Sequence, residues 1–408
     1  MHKNLLKVIT AILAFALLFS GCGSRTVKNT TLPETTATTL QNVYIGTSPV
    51  PDLRTGIMEQ GLITVGNSFE CTDAGVYFMC KTIDPAKAFI LYGDHGSDTL
   101  VKLCGRPDCA HSDADCNACV PSGESICCYD GYLFAATIQG GTIQLFRMDL
   151  DGSNRIKVID SSSVGESYGG AYSPVVCNGV FFFALHKLGE DGNEVSQAFY
   201  YKLDGSMEKP APTDSWMAIS DGVNILVGAP PKDSANETLW GEYLFNPDNG
   251  ALNHLVDRVS DHWGYYGTEA GYYITEGKIY RLDYATGQTE IMADTGLDGC
   301  YRLHGFPDCF VLSKRAPWGE DLDDTVSENR TLYFYNWDFE PLGEVTPDYP
   351  MTLDPECVIC GETEDRIMLA ANFIGVPEYY IEKSDFGTGH IEVHKYNIPD
   401  DIIPEEGW

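Results

Sequence analysis

Positive charge is scarce in this chain: 26 Lys and Arg stand against 59 Asp and Glu, a formal net charge of −33 over 408 residues. A surface of that sign repels phosphate backbones, which excludes nucleic acid as a partner. It also repels anionic lipid head groups, so membrane attachment must come from another source. Long hydrophobic runs are equally scarce. The longest, Val8–Phe19, spans 12 residues and is broken by Thr10, too short to cross a hydrocarbon core of about 30 Å as a helix. The rest of the chain lacks the apolar rhythm of an amphipathic helix, which points to an all-β fold.

What is abundant agrees with strands. There are 23 Tyr, 18 Phe and 41 Gly, and hydrophobic residues make up 43% of the chain. Aromatic and β-branched runs cut by glycine are the composition of sheets. A unit of four such runs recurs seven times between Ser68 and Ile398, starting near Phe69, Ser125, Ser173, Trp216, Trp263, Cys300 and Glu356. The second copy is the clearest. Ser125–Tyr129 leads into a turn at Asp130-Gly131, followed by Tyr132–Thr137, Thr142–Leu150, a turn at Asp151-Gly152-Ser153, and Arg155–Ile159. Four strand-like runs per copy make a propeller blade, which cannot bury both faces alone. The expectation is a seven-bladed β-propeller over residues 61–398, with six or eight blades as the alternative. The last copy holds all four of its own strands, so the ring is expected to close by packing, near Gly61–Gly66.

The first residues form a separate object. Lys3 and Lys7 precede the apolar run, and Ser20-Gly21-Cys22 follows it. This segment resembles the bacterial lipoprotein signal, in which small residues precede a cysteine, although Phe19 stands where that family usually has Leu. The resemblance implies a signal peptide over 1–22, cleavage before Cys22, and a diacylglycerol on its sulfur. Localisation would then be the extracytoplasmic face of the cell membrane, with the acyl chain as the only membrane contact. Residues 23–60, rich in Thr with Pro33, Pro49 and Pro51, cannot supply a hydrophobic face and read as a tether. Residues 399–408 read as a C-terminal tail.

Phe146-Arg147-Met148-Asp149-Leu150-Asp151-Gly152-Ser153-Asn154 resembles the third-strand turn of the TolB-like propellers and of the propeller lipoproteins of anaerobic Gram-positive bacteria. Those lipoproteins are largely of unknown function. Locally the Asp-Gly pair supplies a turn between two strands, and not a phosphate cradle.

Cys104, Cys109, His111, Cys116 and Cys119 lie within one insert, Gly105–Gly123 with its flanks. Three thiols and an imidazole can close a tetrahedral Zn²⁺ site, and Cys104, Cys109, His111 and Cys116 are the expected ligands. A disulfide-knotted loop and free thiols are the alternatives, since exported cysteines usually pair. Of the 14 cysteines, removing Cys22 leaves 13, an odd number that cannot all pair within one chain.

Gly165-Glu166-Ser167-Tyr168-Gly169 has the form of a nucleophile elbow but lacks the helix that such an elbow needs, so no catalytic residue is assigned. Glu320, Asp321, Asp323, Asp324 and Glu328 read as a solvated acidic loop, without the glycine of an EF-hand turn. Trp318, on the insert Lys314–Asn329, is the best candidate for stacking on a ligand. The inserts Lys187–Ser196 and Ala229–Glu237, with Gly105–Gly123, are expected to elaborate the same face of the ring. The functional expectation is a monomeric, non-catalytic binding or scaffold protein for a peptide, a glycan or a cell-envelope protein. A hydrolase or lyase using carboxylates on that face is the alternative.

Overall fold

The computed structural model describes residues 69–402 apart from loops at 83–86, 112–114, 161–169, 189–193, 203–206, 209–216, 221–224, 230–238, 260–263, 315–325, 350–358 and 371–375, and a few shorter gaps. Every described residue lies in one compact unit.

Seven antiparallel sheets follow one another along the chain, each with its strands in sequence order. The first holds β1 (Phe69–Thr72), β2 (Gly75–Lys81), β3 (Lys87–Gly93) and β4 (Val101–Lys102), with β5 (Cys119–Pro121) also paired to β3. The second holds β6 (Gly123–Tyr129), β7 (Tyr132–Gln139), β8 (Thr142–Met148) and β9 (Ile156–Asp160). The third holds β10 (Gly170–Cys177), β11 (Val180–Leu188), β12 (Glu194–Lys202) and β13 (Met207–Glu208). In the fourth are β14 (Met217–Ser220), β15 (Ile225–Ala229), β16 (Leu239–Asn246) and β17 (Ala251–Val259). The fifth has β18 (Gly264–Tyr266), β19 (Ala270–Thr275), β20 (Lys278–Asp283) and β21 (Thr289–Asp294). The sixth has β22 (Tyr301–Gly305), β23 (Cys309–Lys314), β24 (Leu332–Asn336) and β25 (Pro341–Val345). The seventh has β26 (Ile359–Glu362), β27 (Arg366–Ala370), β28 (Pro377–Glu382) and β29 (Val393–Lys395). Among the described residues the only helical segments are 3-10 turns at Ser327–Arg330 and Lys383–Asp385, and no helix is long and apolar enough to cross a membrane.

The strand sequences explain the packing. In β11, Val180, Phe181, Phe182 and Phe183 are all buried, because a middle strand is covered on both faces. Strand alternation sorts them. Phe181 and Phe183 cluster with Phe134 and Ile143 of the second sheet, while Val180 and Phe182 cluster with Val227 and Phe245 of the fourth. The apolar cores therefore lie between successive sheets and not within any one of them. Ile274 and Leu312 join the fifth sheet to the sixth, and Val311 and Ile367 join the sixth to the seventh. Between β6 and β7, Asp130 and Gly131 both take positive φ, 52° and 79°, the geometry of a type I′ hairpin turn.

The largest cluster joins the two ends of the series. Phe78 and Ile90 of the first sheet, Leu133 of the second and Met368 of the seventh share it. Phe69 of β1 lies over Gly361 of β26, where an added Cβ would come within 2.6 Å of its ring. As expected from the sequence, the last sheet keeps four strands of its own and exchanges none with the first; hydrogen bonds add to the packing at the junction, while Gly61–Gly66 lies outside the described residues. Asn397 donates its amide to the Asp98 carbonyl at 2.7 Å and accepts from the Leu100 amide at 2.9 Å, forming a parallel bridge between Thr99 and Asn397. The Arg366 guanidinium donates to the carbonyls of Ser97 (2.6 Å) and Gly96 (3.0 Å), pairs with Glu382 at 2.8 Å and stacks over Tyr380. Ile402, within the expected tail, is buried in the same cluster.

Candidate metal centre

The Cys/His segment is held where the outer strand of the first sheet is interrupted. Along β3, Leu91 and Tyr92 pair with Lys102 and Val101, whereas Lys87, Ala88 and Phe89 pair with Pro121, Val120 and Cys119. Ile90 is the point of division. Its amide donates to the Ala118 carbonyl at 2.8 Å, and its carbonyl accepts from the Leu103 amide at 2.9 Å. One strand position is thus filled by two halves, and the intervening residues leave the ladder as a loop. The insert Gly105–Gly123 runs, as expected, from the outer strand of the first sheet to the first strand of the second, with its last part, β5, paired back onto β3. The other three inserts do share a position, since each joins the second strand of its sheet to the third.

Two short turns and an arginine shape the loop. The Cys109 amide donates to the Arg106 carbonyl at 3.2 Å, closing a turn with Pro107 at the position whose φ it presets. The Cys119 amide donates to the Cys116 carbonyl at 3.2 Å. The Arg106 guanidinium reaches both the Cys109 sulfur (3.2 Å) and the Asp115 carbonyl (2.8 Å). His111 adopts φ of 51°, a conformation that non-glycine residues seldom take without compensation.

The result is a convergence of donors. One ligand atom from each of Cys104, Cys109, His111 and Cys116 lies within 4.8 Å of all the others. His111 Nδ1 is 3.3 Å from Cys116 Sγ. Cys104, Cys109 and Cys116 are free thiols. Cys116 is buried and the other three half-buried. Burial pushes the Cys116 thiol up to about 11. Burial also acts to raise Cys104, but hydrogen bonds from the Arg106 backbone and guanidinium and from the neighbouring thiols outweigh it and bring that group down to about 7. Cys119 lies on β5, outside the set.

The loop is seated on the second sheet. Asn117 donates its side-chain amide to the Asp151 carbonyl at 3.3 Å. Arg155 donates to the carbonyls of Cys119 (2.6 Å) and Cys116 (3.3 Å). Gly152, at φ 76°, faces Asn117 so closely that an added Cβ would lie 3.0 Å from the Asn117 Cβ. The Asp151-Gly152 turn read from the sequence as purely local is therefore also a docking surface for the loop. Arg106, Asn117 and Arg155 carried no signal in the sequence, because none is spaced as a ligand.

A second group, Asp308, Cys309 and Glu362, also brings metal-type ligands together. An internal cation already serves it. Lys383 Nζ donates to Asp308 Oδ1 (3.0 Å) and Glu362 Oε2 (3.1 Å). Burial acts to lower the Lys383 ammonium, but Glu362 and Asp308 outweigh it and hold it above its usual range. Burial pushes the Cys309 thiol far up, so it remains protonated. His304 Nε2 lies 2.9 Å from Ser313 Oγ, yet both residues are buried, and a nucleophile–base pair needs substrate access.

Cys22, Ser167, Trp318 and the Glu320–Asp324 carboxylates lie outside the described residues. Trp337 packs between sheets, against Tyr272 of the fifth and Phe310 of the sixth, with its indole N–H donated to the Phe306 carbonyl at 2.7 Å.

No family model matches the chain, and no curated protein matches it. Several solved structures are similar in fold. An uncharacterized protein from Listeria monocytogenes is 12% identical with a TM-score of 0.46, covering 85% of this chain and 96% of that one. The β-propeller domain of the Trilobed protease from Pyrococcus furiosus is 14% identical with a TM-score of 0.43, covering 66% and 79%. The acylaminoacyl peptidase of Pyrococcus horikoshii is 12% identical with a TM-score of 0.44, covering 81% of this chain and half of the peptidase. At these identities the likeness concerns the fold alone.

Proposed function

We propose that the chain is a seven-bladed β-propeller, lipid-anchored through Cys22 on the extracytoplasmic face of the membrane, that binds a peptide, glycan or envelope protein without catalysis. The observation that carries the ring is the cluster shared by Phe78, Leu133 and Met368, which puts the last sheet beside the first. The described titratable groups support a binding role over a catalytic one. Lys383, paired with Glu362 within the seventh sheet, reaches across to Asp308 beside the sixth, and Arg366, paired with Glu382 within the seventh, reaches across to the Ser97 and Gly96 carbonyls beside the first. In this reading they hold blades together, as does the Cys/His cluster, which we take as a structural Zn²⁺ centre closed by Cys104, Cys109, His111 and Cys116.

The ligand is assigned to the side bearing the connections between second and third strands, with Trp318 stacking on it. The test exposes the full chain in detergent to glycan and peptide arrays and follows each captured ligand by mass spectrometry. Ligands bound intact, and bound more weakly by Trp318→Ala, support the reading. Cleavage of a captured ligand would replace it with the hydrolase or lyase alternative.

A further inference from the structure

We infer that a Zn²⁺ ion held by Cys104, Cys109, His111 and Cys116 acts as a mechanical clamp, bridging the two halves of the divided outer strand and fastening the first sheet to the second. The inference rests on the zinc reading of the cluster and assigns the ion its task. A tetrahedral S₃N centre with Zn–S near 2.3 Å and Zn–N near 2.0–2.1 Å has donor atoms about 3.5–3.8 Å apart. The four donors already stand within 4.8 Å of one another, with His111 Nδ1 and Cys116 Sγ 3.3 Å apart, so binding needs only small side-chain rotations. All four positions are filled by protein, which marks a closed structural site and leaves no place for a reacting water. Thiolate-rich donors suit Zn²⁺ over Mg²⁺ or Ca²⁺.

The charge count is consistent. Binding releases to solvent whatever protons the three thiols still carry, and three thiolates with a neutral imidazole around Zn²⁺ leave one net negative charge. The Arg106 guanidinium, already on the Cys109 sulfur, faces that charge. Placement gives the ion its task. Cys104 follows Leu103, the last residue bonded to Ile90 on one side, and Cys116 precedes Ala118, the first on the other. A bond network through the ion therefore joins the two half-strands across the gap. The Cys116 carbonyl is held by Arg155, which directly precedes β9 of the second sheet, so the same network reaches the neighbouring sheet. The loop has little apolar mass to do this unaided, since Gly105, Arg106, Pro107, Asp108 and Ala110 are exposed.

The test uses the full chain, purified anaerobically, in two measurements: zinc content by elemental analysis, and amide hydrogen exchange before and after removal of the metal by chelation, with ZnCl₂ added back. The expected result is one zinc per chain and a loss of at least about tenfold in protection at Ile90, Leu103 and Cys119 on removal, restored by ZnCl₂. His111→Cys should retain zinc and protection, which guards against a variant that merely fails to fold. Arg155→Met should retain zinc yet lose protection at Cys119. Stoichiometric zinc whose removal leaves protection unchanged overturns the clamp and spares the zinc reading. A metal-free chain with these cysteines covalently linked overturns both.

Discussion

Gly152 and Asn117 approach so closely that a Cβ added at Gly152 would lie 3.0 Å from the Asn117 Cβ, where the Cys/His loop rests on the second sheet. Gly152 also has φ of 76°, so two demands meet at one residue. Gly152→Ala therefore brings backbone strain and a contact tighter than van der Waals. The expected destabilisation is about 1–3 kcal/mol, read as a lower urea midpoint. Faster alkylation of Cys104 and Cys109 in the folded protein should accompany it. An unchanged midpoint would show that the loop is not seated on this turn.

Lys383 and Glu362 form a buried pair whose removal by halves should be costly. Lys383→Met leaves the Glu362 carboxylate, 3% exposed, without its cation, an expected loss of about 3–5 kcal/mol. Lys383→Met combined with Glu362→Leu should recover much of it, because Asp308 remains in solvent. The Lys383 ammonium is held above its ordinary value. Its contribution is thus complete below about pH 10.5 and is lost only as pH rises through the folded value. A double-mutant cycle with no coupling would remove the pair from the account.

His304 should make the fold acid-sensitive. Its burial, with Arg302 nearby, depresses the imidazole well below its usual range, so the folded state stays neutral where the unfolded state takes up a proton. The unfolded chain then binds more protons below about pH 6.5. Stability is complete above that value and falls, by up to about 1.4 kcal/mol per pH unit, as pH drops toward the folded value. Melting temperatures of the wild type and His304→Gln between pH 7 and pH 5 should diverge in slope, the variant being flatter. Parallel slopes would mean that His304 titrates normally.

Much of this architecture is legible in the sequence, and the limits have physical causes. The Asp130-Gly131 and Asp151-Gly152 turns announce hairpins because few residues accept their backbone angles. The run Val180–Phe183 announces a strand covered on both faces. The division of the outer strand at Ile90 is invisible, because β4 has only two residues and β5 three, too short for a periodic signal. The set Cys104, Cys109, His111 and Cys116 can be nominated from residue type. Arg106 and Arg155 act through backbone carbonyls and a sulfur brought near by folding, and no spacing rule reports that. The bridge between Thr99 and Asn397 joins residues 298 positions apart, beyond any local pattern.

Cys22→Ala should leave a precursor that keeps its first 21 residues and is no longer processed in a globomycin-sensitive way. Mass spectrometry of the membrane fraction reads both. Unchanged processing and membrane retention in the variant would remove the acyl anchor from the proposal.

The central claim, that the four convergent side chains are a closed zinc centre, is met most directly by X-ray absorption at the zinc edge on the full chain. The account predicts three sulfur scatterers at about 2.3 Å and one nitrogen at about 2.0–2.1 Å, with the nitrogen replaced by a fourth sulfur in His111→Cys. A shell of nitrogen and oxygen alone, or no zinc edge in anaerobically purified protein, would contradict it.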